Sequence, residues 1–248
     1  MKALLSLFFA FSLFGEEINS PIYITKENTV VENKYFRLAK NSNCPMIVVG
    51  DNEHENPQYR LNHIVLKNLF LDGATDYQTR ELYKDGFLRN NCITIRGCSD
   101  VTIENVVVCY ARSGGVVLEK GCSKITINGL NAYGCYFDGF AACETTDSVV
   151  MNGLLHSNQY AGISMDWRCN GNKFFNLNIE NNIKCGVFLR YCNDNTFYNI
   201  TFKYSGIYIN RRPESPDTGC HGNRFLKIND IPIYVGKDCE GNTIQWGD

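Results

Sequence analysis

From residue 92 onward, short runs of the chain alternate apolar with polar residues, and the pattern restarts at a nearly fixed interval. A small residue opens each copy at Cys92, Gly115, Gly139, Gly162, Gly186 and Gly206, in steps of 23, 24, 23, 24 and 20 residues. A second register sits on Ile103, Ile127, Met151, Phe174 and Phe197, each followed by one residue, then Asn or Gly, then Leu, Ile or Val. An earlier copy, HIVLKNLFLDG, sets Leu66, Asn68 and Leu69 in the same places. Alternation of period two means strands, and no stretch has helical periodicity. A repeat near 23 residues with two or three such strands predicts an all-β solenoid. A leucine-rich repeat has a similar length but would not alternate in both halves.

Columns of the repeat become rows along the solenoid. Two predicted inward rows are apolar throughout: Ile93, Val116, Phe140, Ile163, Val187, Ile207, and Ile95, Leu118, Ala142, Met165, Leu189, Ile209. A third row reads Cys98, Cys122, Thr146, Cys169, Cys192, Cys220 and Cys239, at a turn before the second strand. In-register stacking points these side chains the same way, so the expectation is buried, unpaired thiols rather than disulfides or a metal ladder. A fourth row, Asn68, Asn105, Gly129, Gly153, Asn176 and Asn199, suits a sharp bend with left-handed backbone.

Composition narrows the partners. The net charge of −2 is unclustered, which excludes nucleic acid and a polybasic membrane patch. The opening MKALLSLFFAFSLFGEE has Lys2, an apolar run from Ala3 to Phe14 and a small residue at Gly15. This pattern predicts a signal peptide over residues 1–15 and a secreted or periplasmic protein, the run being too short for a membrane span. Residues 16–60 are assigned to an N-terminal cap and first coils, and 61–248 to the repeats.

Over Ile22 to Trp246 the chain resembles the right-handed parallel β-helix proteins of the pectate-lyase-like superfamily. SGGVVLEK, FDGFAACET and AGISMD are similar to motifs of secreted bacterial β-helix repeat proteins. The resemblance implies a single-stranded right-handed parallel β-helix; it does not imply one activity. The polygalacturonase motifs and the Asp-Pro-His-Glu signature of mannuronan epimerases are absent, and Arg211-Arg212-Pro213 begins but does not complete the pectate lyase Arg-x-Pro-x-x-Arg. No catalytic residue is therefore carried over.

Candidate chemistry lies on outward positions at the end of the first strand. Arg96, Glu119, Cys143, Asp166, Arg190 and Asn210 form one row, with Lys120, Glu144, Trp167, Arg168, Tyr191 and Arg211 beside it. Glu119, Asp166 and Arg190 are the catalytic candidates. Carboxylates two coils apart suit hydrolysis, and an arginine beside one suits neutralisation of a uronate during proton abstraction. Arg96, Lys120, Asp138, Glu144, Trp167, Arg168, Tyr191 and Asn210 are the candidate substrate contacts. Surface ladder pairs of opposite charge are the competing explanation. Val117, Ala141 and Ser164 make a companion row small in the middle, ending at Phe188 and Tyr208. Asp138, Tyr136 and Arg112 stand in turns at its rim, and insertions Ala74–Asn91 and Asn210–Gly222 are candidate walls. His54, His63, His156 and His221 lack ligand spacing, so no metal is assigned; no cofactor is indicated, calcium being left open. The expected partner is a polysaccharide and the expected state a monomer, as enzyme (lyase, epimerase or hydrolase) or as glycan-binding module.

Overall fold

A computed structural model describes residues 15–84, 86–211 and 218–247. Most of the predicted signal peptide, and the centre of the Asn210–Gly222 insertion, lie outside these residues. Within them the chain is a right-handed parallel β-helix. The first strands, Ile22–Ile24, Ile47–Gly50, Ile93–Arg96, Val116–Glu119, Phe140–Cys143, Ala161–Asp166, Cys185–Arg190, Ile207–Asn210 and Ile233–Val235, form one nine-stranded sheet. Every pairing in it is parallel. Coils therefore begin before residue 61, and part of the 16–60 segment is already solenoid.

The remaining strands form a thirteen-stranded sheet that bends along one line. Ile64–Asp72 passes the bend as one strand, whereas the next three coils split there, as Val101–Glu104 does from Val107–Cys109. The bend column is left-handed throughout: Asn68, Asn105, Gly129, Asn152, Asn176 and Asn199 have φ of 51, 51, 76, 55, 53 and 56°. Asparagine and glycine tolerate that backbone, and it turns a strand. Asn176 Nδ2 donates to Asn152 Oδ1 at 3.1 Å and Asn199 Nδ2 to Asn176 Oδ1 at 2.7 Å, on the exposed face.

One coil is offset from the sequence register. Asn128 pairs with Met151 and Ile127 with Val150, so Asn152, not Gly153, takes the bend and Val150, not Met151, enters the core. The thiol row shifts equally: Ser123 bridges to Thr146, which sets Thr145, buried, opposite Cys122. Both corrections have one cause, since Thr145-Thr146 and Asn152-Gly153 each offer two adjacent residues able to fill the column.

The two apolar rows run as expected, in register from Ile93 and Ile95 to Ile207 and Ile209. Facing them, Phe174, Phe197 and Phe225 stack with centroids 4.5 Å apart and planes within 5°. That distance is close to strand spacing, so each coil extends the stack by one ring. All twelve cysteines are unpaired and eleven are buried. Cys122 Sγ donates to Glu119 O at 3.2 Å and Cys220 Sγ to Asn210 O at 3.1 Å, which gives the turn carbonyls a weak partner.

Beside the thiols runs a buried amide ladder. Asn172, Asn195, Asn223 and Asn242 each donate to a main-chain carbonyl one coil earlier, Asn195 to Cys169 O and Asn223 to Cys192 O at 2.8 Å. Each of the first three also donates to the next amide oxygen, at 2.9–3.1 Å. Turn amides and carbonyls that strands cannot pair are thereby satisfied in a dry interior. A second, shorter ladder, Asn158, Asn182 and Ser205, does the same at the corner before the first strand.

Candidate functional site

The charged row keeps its expected register but not its expected exposure. Arg96 pairs with Glu119, Cys143 with Asp166, and Asp166 with Arg190, which pairs with Asn210. Arg96, expected to face solvent and substrate, is fully buried. A segment from the preceding coil, residues 51–60, covers it. Its Nε donates to Glu119 Oε1 at 2.7 Å, Nη2 to Glu55 O at 2.6 Å, and Nη1 to His54 O at 2.9 Å and to Asp51 O. Phe87, from the Ala74–Asn91 insertion, packs on the guanidinium, 4.8 Å from ring centroid to Cζ. A guanidinium can enter a protein interior only when its donors are used. Arg96 therefore holds the covering segment and Glu119 in place, with its donors already engaged inside the protein.

Asp51 anchors the same segment. Burial alone would raise its carboxyl, but N–H groups of Gln58, Glu53 and His54 and the His54 ring hold it at about 2. Nothing in the local sequence has strand periodicity, so this wall was not anticipated.

Between this segment and the first-strand ends lie two depressions. One, of about 270 Å³, is lined by Glu55, Gly86, Phe87, Arg96, Glu119 and Lys120. The other, of about 540 Å³, is lined by Asn56, Pro57, Lys120, Gly121, Glu144, Thr146, Arg168 and Asn170. Lys120 is common to both and donates to Asn56 Oδ1 at 3.0 Å. Of the sequence candidates, Glu119, Lys120, Glu144 and Arg168 come together here, with Arg96 beneath them. Glu55, Asn56, Pro57, Phe87, Thr146 and Asn170 were missed.

Asp166, Arg190, Trp167, Tyr191 and Asn210 line neither depression and form a neighbouring patch. Arg190 Nε donates to Asp166 Oδ1 at 3.0 Å and Nη2 to Oδ2, with the two side chains 36% and 26% exposed. Trp167 and Tyr191 meet edge to face at 6.0 Å, and the Arg168 guanidinium lies 5.4 Å from the Trp167 ring. Lys120, Glu144, Trp167, Arg168 and Tyr191 all have φ between 51 and 61°. Left-handed backbone costs a side-chain-bearing residue about 1–2 kcal/mol. From Asn68 to Asn199 the bend carries only Asn and Gly, and Lys227 follows them at φ 53°; this turn accepts the strain in several coils while displaying charges and rings.

Asp138 stands at the opposite end of the first strand, away from both depressions. It is partly exposed, and Oδ1 accepts the Ala161 N–H at 3.0 Å. Burial outweighs that bond and pushes its carboxyl up to about 7. Tyr160 packs against Phe188 near it, with ring centroids 6.2 Å apart.

Solved proteins share this architecture. The periplasmic alginate epimerase AlgG aligns with a TM-score of 0.54 at 8% identity, over 86% of this chain and 49% of that one. The Dettilon tailspike protein aligns at 0.56 and 10%, over 90% and 58%. Bacteriophage phi29 gene product 12 aligns at 0.54 and 12%, over 92% and 43%. The chain thus spans about half the length of these three proteins, and at such identity the likeness concerns fold. No curated protein matches the chain. The family model described as periplasmic copper-binding protein (NosD) matches residues 23–245, nearly the whole described solenoid, and the chain belongs to the NosD family.

Proposed function

We propose that this protein is an exported, periplasmic β-helix that binds a polysaccharide chain in the groove between residues 51–60 and the first-strand ends. The observation that carries the reading is the lining of that groove. Glu55, Glu119 and Glu144 alternate with Lys120 and Arg168, amides come from Asn56 and Asn170, and one ring comes from Phe87. Sugars need both donors and acceptors at fixed positions together with an apolar face, and this set supplies all three. The groove is open, which suits a chain that enters and leaves rather than an enclosed small molecule. An apolar leader, Ala3 to Phe14, agrees with the periplasmic family description.

Two-carboxylate hydrolysis is disfavoured, because Glu119 is bonded to Arg96 and Asp166 to Arg190. Acid–base chemistry at the strand head is a second reading, favoured by the burial of Asp138 beside Tyr160, which pushes its carboxyl up to about 7, where a general acid or base is most effective.

The family description names copper, and the donor set does not fit it. The described residues contain no group of three or more His, Cys, Asp or Glu placed to hold a metal ion. Burial raises the Cys122 and Cys220 thiols to about 12, against the thiolate a copper site needs. The histidines, His54, His63, His156 and His221, are scattered and form no such group.

A panel of neutral and uronate-containing polysaccharides, followed for binding, unsaturated products and new reducing ends, tests the reading. Binding without turnover is expected. Turnover abolished by Asp138→Asn would establish the second reading, and no binding to any polymer would refute both.

A further inference from the structure

The last described coil leaves the core open. Ile207, Ile209, Phe225 and Ile228 are fully buried, yet the residues paired with them one coil on are not: Ile233 and Ile244 are half-buried, Val235 is 42% exposed and Trp246 47%. Ile231, beside them, is also only partly covered. Strands Ile233–Val235 and Thr243–Trp246 are the outermost of their sheets at this end, and their far edges have no strand partner among the described residues.

The edge of Ile233–Val235 is not blunted. Ile207 N–H donates to Pro232 O at 3.0 Å and Gly236 N–H to Ile209 O at 2.8 Å, so Pro232, Tyr234 and Gly236 face the body of the sheet. Main-chain groups alternate along a strand, which leaves the N–H and C=O of Ile233 and Val235 pointing outward. A proline guards an edge only where its missing N–H lies on that edge, and the gap at Pro232 faces the other way. An uncovered edge beside an open apolar core is a template for another strand. The same strand, reversed, fits it. Antiparallel pairing about Tyr234 sets Ile233 opposite Val235 of the partner subunit, where the two exchange both N–H···O bonds, and the twofold repeats the pair. Charge agrees with this register. Asp230 precedes the strand and Lys237 follows it; both are exposed, neither is in an ion pair with a described residue, and reversal brings opposite charges together.

We propose that this coil docks end to end on that of a second copy, about a twofold axis at Tyr234, joining two nine-stranded sheets into one in place of the monomer expected from the sequence. Such a contact is isologous and closes at two copies. The end of one coil is small for an interface, which puts its dissociation constant at about micromolar or weaker. The groove lies on earlier coils and stays open in both copies, so the dimer presents two grooves to one long polymer.

Sedimentation equilibrium over a concentration series tests this on wild type and Val235→Pro, and disulfide trapping tests the register on Tyr234→Cys and Tyr208→Cys. Wild type is expected to double in mass as concentration rises. Val235→Pro removes only an outward N–H from the ladder and is expected to weaken association about tenfold or more. Residues facing each other across an antiparallel, non-bonded pair have Cα atoms about 4.5 Å apart, within disulfide reach. Tyr234→Cys is therefore expected to give a covalent dimer with oxidised glutathione. Tyr208, three strand spacings or about 14 Å from its counterpart across the axis, is expected to give none. Wild type remaining monomeric up to about 1 mM, masses growing past the dimer, undiminished association of Val235→Pro, or equal trapping at both positions would overturn the inference and leave the groove reading intact. Were Val235→Pro unstable, failure of Tyr234→Cys to trap a dimer would still refute it.

Discussion

Arg96→Met removes the group that joins the covering segment to Glu119 while keeping most of its aliphatic volume. Left behind are the Glu119 carboxylate and the carbonyls of Asp51, His54 and Glu55. If these stayed sealed, orphaning each carbonyl would cost about 1–3 kcal/mol and breaking the buried ion pair about 3–5 kcal/mol. The segment lies on the surface and can lift into water instead. The loss is therefore expected below the sum of those costs, at about 2–4 kcal/mol, the range for breaking a buried polar network that can relax into water. Hydrogen exchange reads this locally, which matters in a solenoid whose coils need not unfold together. The amides of Glu53, His54 and Gln58, bonded to the Asp51 carboxylate, are expected to lose protection. Those of Val117 and Leu118, within the sheet, should keep theirs. Unchanged protection at the three segment amides, with a stability loss below about 1 kcal/mol, would refute the assignment of Arg96 as an internal positioning residue.

Asn195→Ala orphans the Asn172 N–H and the Cys169 carbonyl, so urea unfolding should show a loss of about 3–5 kcal/mol. Asn176→Gly, on the exposed ladder where Gly129 already fills the same column, should stay within about 1 kcal/mol; equal losses would contradict the distinction. For Asp138, whose folded pKa of about 7 exceeds the ordinary 3.8, the folded protein holds the proton more tightly, so stability falls as pH rises through that window. Asp138→Asn keeps an acceptor for Ala161, as Asn91 does for Gly114, and should match wild type near pH 3. At pH 8 it should gain up to roughly 4 kcal/mol, three pKa units at about 1.4 each; a thermal-melt difference independent of pH would contradict this. A thiol reagent should reach at most Cys143 in the native protein and all twelve cysteines in denaturant, and four or more disulfides would overturn the packing described for the turns.

The solenoid was legible because in-register stacking turns each column of the sequence into a row with one environment. Val116, Phe140 and Ile163 announce a core whatever the turns do. Register was ambiguous only where two neighbouring residues suited one column, at Thr145-Thr146 and Asn152-Gly153. The buried amide ladder had a signal that went unread: Cys-x-x-Asn recurs at Cys169, Cys192, Cys220 and Cys239, each asparagine three residues on. The groove wall had none, because residues 51–60 carry no periodicity and their position is fixed by Arg96 from another coil. For the same reason Arg96 looked exposed: alternation reports the face of a strand, not what covers that face.

The most direct test of the account pairs wild type with a Lys120→Ala/Arg168→Ala double variant, titrated with the best-bound oligosaccharide of the panel. Both side chains line the groove, and neither is part of the core. The account predicts an unchanged melting temperature and affinity reduced about tenfold or more, in proportion to two lost charged contacts. Full affinity in the double variant would place the binding surface elsewhere on the β-helix and contradict the central claim.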